Sequence, residues 1–229
     1  MYGTMTGEKT GRDSDSADLR PGVKTFPLLR RGPVIAIEVE TRNFTSPARM
    51  QNEIDIVRDV SERLDAADIG YMLTGSMALN GYDLPCLPGN LDFVVALRPE
   101  EAEAMVRLFS PVYDISREAV DSAIAHQSFF NFFHRENRIK VNCFICQQTK
   151  YRLLEFNRRH RVKFENFKTW IVSKEDLIIS KLHWARKSHS ARHLRDVQNL
   201  TATGCDTAYI ERWARALGVS KLWQECSHA

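Results

Sequence analysis

The stretch from Gly70 to Leu97 limits the possible folds more than any other part of the chain. A short apolar run, "GYML", meets a polar turn, Thr74-Gly75-Ser76, and about fifteen residues later comes "LDFVVAL", Leu91 to Leu97. A continuous apolar run of that length, bounded by turn residues, reads as a buried strand. Glycine lets the backbone approach a bound phosphate closely. Free N–H groups at a helix start after the turn, together with the Ser76 hydroxyl, can bind phosphate oxygens. Acids at alternate positions on the next strand share a face and can hold magnesium against a triphosphate. Asp92 is such an acid, but one step of the pleat earlier stands Asn90. Taken alone, Gly-Ser before a helix is more often an ordinary N-cap.

Residues 1–47 are rich in polar residues in their first half and are expected to form a mostly disordered arm, in which the weak alternation of "VIAIEVE" at 34–40 fits an edge strand and a loose arm equally. From about Pro47, residues Met50, Ile54, Val57, Val60 and Leu64 make one helical stripe. Pro99 with Glu100 and Glu101 opens a helix, because proline suits the first turn and acids suit its positive end. "FFNFF", "IKVNCFI" and "TWIV" read as strands, and helices at 174–187, 189–202 and 206–217 close the chain. This order predicts an α/β (α+β) fold: a mixed-sheet core over 48–170 and a helical C-terminal region over 171–229.

A chain of 229 residues is long enough for one sizeable core. No apolar run approaches the roughly 18 residues of a membrane helix, and the first residues lack a signal-peptide core, so no membrane partner is expected. Five cysteines fit a reducing, cytoplasmic setting. Cys143 and Cys146 have CxxC spacing, but on a strand residues three apart point to opposite faces, which speaks against zinc. Residues 151–195 carry twelve Lys/Arg against four acids, a balance that attracts polyanions or simply solvates a helical face.

"YMLTGSMALNGYDLP" followed by "NLDFVVAL" resembles the nucleotidyltransferase superfamily, which carries a Gly-Ser turn and then an Asp-apolar-Asp strand. The tail, "VSKEDLIISKLHWARKSHSARHLRDVQNL" with "DTAYIERWARALGV", is similar to the C-terminal helices of small bacterial nucleotidyltransferase-like proteins related to abortive-infection toxins of toxin–antitoxin pairs. The resemblance implies a nucleotidyltransferase-like mixed sheet flanked by helices. It implies that Gly75 and Ser76 hold a nucleotide triphosphate, that Asp92 is a magnesium ligand, and that Lys181 contacts phosphate. It places Asp196 and Arg195 near the nucleotide. Asn90 and Asn142 occupy the places of the first and third metal-binding carboxylates. Read without the resemblance, Lys181 is a surface lysine and Arg195-Asp196 an ion pair joining two helices.

The usual Pro-Arg-x-Thr-Arg lead reads "PCLPG" here, with Cys86, Pro88 and Gly89 at the changed positions. With Asn90 and Asn142, five motif positions depart together. Two Asn in place of Asp leave one formal charge to face two metal ions. Each charge pair at about 4 Å is worth roughly 4 kcal/mol at an effective dielectric near 20, so the second metal should be largely lost. An amide also cannot act as a general base at neutral pH. The expectation is a nucleotide-binding protein with weak or lost transfer. The alternatives are an active enzyme rescued by an acid such as Asp83, modifying RNA or protein, and a non-enzymatic RNA- or protein-binding module.

Other residues read as structural. The aromatics of Phe129–Phe133 are expected in the core, and Trp170, Trp184, Trp213 and Trp223 are expected to pack the tail on the core. His183 and His189 flank a helix end, and Asp206 reads as an N-cap.

Overall fold

The computed structural model describes residues 47–86, 89–188 and 190–227. The expected N-terminal arm and the strand at 34–40 lie outside the described residues, as does His189. The first described element is α1, Pro47–Ala66, and the stripe read from the sequence is its buried face: Val57, Val60 and Leu64 are fully enclosed. The chain then forms β1 (Gly70–Thr74), a short 3-10 helix (Met77–Tyr82), β2 (Leu91–Ala96), α2 (Ala102–Phe109), β3 (Tyr113–Asp114) and α3 (Arg117–Ala125). It continues through β4 (Phe129–His134), β5 (Lys140–Ile145), α4 (Lys150–Asn157), β6 (His160–Phe164) and β7 (Phe167–Ile171). Four helices follow: α5 (Lys174–Ser188), α6 (Ala191–Ala202), α7 (Thr207–Ala216) and α8 (Ser220–Ser227).

The described strands form one mixed seven-stranded sheet in the order β3-β4-β5-β2-β1-β7-β6. β1 and β2 are antiparallel, whereas β2 with β5 and β1 with β7 are parallel. Strand alternation divides the interior in two. Tyr71, Leu73, Phe93, Val95 and Phe132 join α1, α2 and α3 in one apolar cluster. Met72 and Val172 face the other way, into a second cluster built with α4 to α8. A buried hydrogen bond of 2.8 Å between Ser61 and Thr169 ties α1 to β7.

The cysteine reading agrees with this division. Cys143 is buried in the first cluster and Cys146 in the second. Asp206 caps α7 by accepting from the Tyr209 N–H at 2.9 Å. The aromatic expectation needs correction. Phe130 and Phe132 are in the core, but Phe129 is 51% exposed; Trp184 does pack on Phe144 of the sheet, while remaining 45% exposed. Alternation turns every second residue of β4, Phe129 among them, away from the cluster that holds Phe130 and Phe132. The basic stretch is also not one open patch. Arg152 pairs with Glu155, Arg158 with Glu175 and Asp176, and Arg161 with Asp65.

Candidate functional site

The register of the central strands assembles the site. Thr74, the last residue of β1, lies opposite Asp92, and Asp92 lies opposite Asn142 on β5. All three are on the sheet face that carries the C-terminal helices, where Asp92 is half-buried and Asn142 buried. Asn142 Nδ2 donates a hydrogen bond of 2.8 Å to Asp92 Oδ1. The other carboxylate oxygen sits against the glycine turn. Gly75 has φ +66, and a Cβ there would fall 2.3 Å from Asp92 Oδ2. Two demands therefore require glycine, a left-handed backbone and the space that Asp92 occupies.

Ser76 opens the 3-10 helix in a helical conformation, and its side chain makes no capping hydrogen bond. The N-cap explanation for this serine does not hold. Its half-buried hydroxyl stands beside the turn, available to a ligand. The loop after the 3-10 helix is stapled by Asn80, which donates to the Cys86 carbonyl and accepts from the Cys86 N–H, both at 2.9 Å. Arg192 of α6 reaches the Cys86 sulfur at 3.3 Å, which fixes this loop to the helical layer.

Lys181 is not a surface lysine. It is 2% exposed, and its Nζ donates to Asp196 Oδ2 at 2.6 Å. The ion pair joining α5 and α6 is therefore Lys181–Asp196, and Arg195 does not take part. One residue on a helix is a turn of about 100°, so Asp196 faces inward and Arg195 faces solvent. Burial raises the Asp92 carboxyl above the usual carboxylate range, opposed by the Asn142 hydrogen bond and by the charges of Lys181 and Lys140. Asn90 is exposed in a bend just before β2. Asp83 is an exposed C-cap of the 3-10 helix, and Lys181 and Lys140 are the charges felt at Asp92.

Two contributors were missed in the sequence. Lys140 precedes Asn142 by two residues on β5 and so shares its face, a spacing that was readable. His193 lies on α6 with a buried Nδ1 that has no hydrogen-bond partner among the described residues. Burial, then the charge of Lys181, lowers its pKa. That contact depends on how α5 and α6 pack, which sequence spacing does not reveal.

The donor set does not fit a two-metal centre. Asp92 is a single carboxylate with one oxygen engaged by an amide, and its charged neighbours are cations. Among the described residues no three His, Cys, Asp or Glu side chains gather to hold a metal ion. The group is instead suited to an anion: a glycine turn, an uncommitted hydroxyl and a buried ammonium on one side of the sheet.

The mixed sheet with its glycine turn and helical layers is a nucleotidyltransferase-type fold. The solution structure of the antibiotic-resistance factor ANT(2″)-Ia shares it with a TM-score of 0.51 at 9% identity, covering 78% of this chain and 97% of that one. A crystal structure of ANT(2″)-Ia with adenylyl-2″-tobramycin matches at TM-score 0.47 and 10% identity, over 72% of this chain and 97% of that one. An antigenic nucleotidyltransferase-like protein from Paracoccidioides brasiliensis matches at TM-score 0.46 and 16% identity, over 65% and 75% of the two chains. At these identities the likeness is one of fold. No protein-family model matches the sequence, and none of the curated proteins does. Among the described residues no helix is long and apolar enough to cross a membrane.

Proposed function

We propose that the chain binds a nucleotide triphosphate on the nucleotidyltransferase fold and has weak or no transfer activity. One observation carries this reading: Asn142, in register with Asp92, donates its amide to the carboxylate at 2.8 Å. Two carboxylates at that separation would repel each other and call for a cation between them. An amide donor satisfies Asp92 without one. It also offers no site for the proton that a general base must accept.

In this reading Gly75 admits a phosphate close to the backbone, and the Ser76 hydroxyl hydrogen-bonds to it. Lys181 adds positive charge, held in place by Asp196. Asp92 would hold a magnesium ion only with ligands drawn from the triphosphate and water, as magnesium sites with one carboxylate do.

The test is a calorimetric titration of each of the four ribonucleoside triphosphates with magnesium, on wild type and on Asn90→Asp/Asn142→Asp. A labelled-nucleotide transfer assay accompanies it. Wild type is expected to bind triphosphate with at most one metal and to transfer negligibly. The double variant is expected to bind magnesium at least tenfold more tightly, given the charges restored. Robust magnesium-dependent incorporation by wild type would sink the proposal.

A further inference from the structure

β4 and β5 expose one side of the sheet next to Asp92, and that side is aromatic. The register sets its residues in rows. Phe129, Phe144 and Val94 are cross-strand neighbours, and the adjacent row is Asn131, Asn142 and Asp92. Two residues of strand separate the rows, a distance of about 7 Å. Phe129 and Trp184 are two of the three large apolar side chains that are exposed among the described residues, and both converge on Phe144. The Phe129 and Phe144 rings are 5.5 Å apart, and the Phe144 and Trp184 rings 6.4 Å apart.

Cations border the aromatics. Lys187 Nζ lies 5.7 Å from the Trp184 ring, and Lys140 Nζ lies 6.0 Å from the ring of Phe133 on the same side of β4. Neither ammonium is in an ion pair among the described residues. Arg138 also lies over Phe133, at 5.4 Å, while paired with Asp114. Separate ring faces, with amides and ammonium groups between them, make a poor seat for an aliphatic protein surface. The two lysines repel a polycationic ligand. Stacking rings flanked by positive charge match one polymer, a single strand of nucleic acid, whose bases have free faces and whose backbone is anionic. A duplex hides those faces in its own stack.

We propose that this open face binds single-stranded nucleic acid, with bases stacked on Phe129, Phe144 and Trp184 and phosphates near Lys140 and Lys187. The strand then crosses the row that holds Asp92, over Asn131 and Asn142. The proposal rests on the triphosphate reading for the meaning of that neighbouring site, and not for the binding itself.

The experiment is fluorescence anisotropy of the full chain with labelled 12-nucleotide oligouridine, oligodeoxyuridine and a 12-base-pair duplex, with magnesium-ATP binding measured in parallel. RNA and DNA arms identify which strand is preferred. Wild type is expected to bind single strands at least tenfold more tightly than duplex, with affinity that falls steeply with salt. Phe129→Ala/Trp184→Ala is expected to weaken single-strand binding about 10- to 100-fold. Both sites are exposed, so the fold should be unchanged by circular dichroism, and ATP affinity should stay within about twofold. Oligonucleotide binding without ATP binding supports this face and ends the triphosphate reading. No single-strand binding at low salt, equal binding of duplex, or a double variant that binds like wild type overturns the proposal. So does parallel loss of ATP binding in the double variant, which would give the aromatics to the nucleotide's own base.

Discussion

Asp92 keeps a carboxylate in a place where burial opposes its charge. The Asn142 amide and two lysines offset part of that cost. Lys181 is itself buried, so its charge needs Asp196, 2.6 Å away. A buried pair is costly to break from one side, because the remaining charge has neither water nor partner. Asp196→Ala is therefore expected to lower stability by about 3–5 kcal/mol. Lys181→Met/Asp196→Leu, which removes both charges, should recover most of that loss while triphosphate binding disappears. Urea unfolding of the three proteins measures the first effect, and calorimetry the second. A small cost for Asp196→Ala would mean that Lys181 turns to another partner, with Asp92 the nearest candidate by its electrostatic effect.

Among the elements, the turn between β1 and the 3-10 helix is the most tightly specified. Its glycine combines φ +66 with a side chain packed where a Cβ would go. Gly75→Ala is expected to destabilise by about 1–3 kcal/mol from backbone strain alone, seen as a lower urea midpoint with unchanged slope. Displacement of Asp92 should weaken nucleotide binding at the same time. A midpoint equal to wild type would show that the turn relaxes to a right-handed conformation. The turn, β2 and α1 were legible in the sequence because each has a strong local pattern. α4 and β6 were not. The buried face of α4 includes Glu155, held by Arg152, so its hydrophobic period is broken. β6 reads "HRVKF" and is a mostly exposed edge strand, with only Val162 and Phe164 to mark an inward face. Of the site, Gly75, Ser76 and Asp92 lie within one local motif. Asn142 is fifty residues away from Asp92 and meets it only through strand order, so family resemblance, and not spacing, suggested it. The exposure of Phe129 was misjudged because β4 carries phenylalanines on both of its faces, which hides which face is covered.

At the scale of the whole molecule, the C-terminal helical layer should respond to acid. There α5 and α6 hold His183 and His193, both lowered by burial first. For His183 the value falls from 6.5 to about 4, with Lys187, Arg152 and Arg186 adding to the effect. A histidine whose folded-state pKa lies below its unfolded value adds stability above the unfolded pKa. That stability is lost as pH falls through the folded one. The window here runs from about pH 6.5 down to about pH 4. Because the ring is partly solvated, the contribution is on the order of 1 kcal/mol. Trp184, Trp213 and Trp223 lie in the C-terminal helices, so tryptophan emission reports mainly on this layer. Urea midpoints by emission at pH 7, 5.5 and 4 should fall more steeply for wild type than for His183→Gln, which has no proton to take up. Parallel curves for the two proteins would place the acid sensitivity elsewhere, with the neutral burial of His193 beside Lys181 as the next group to change.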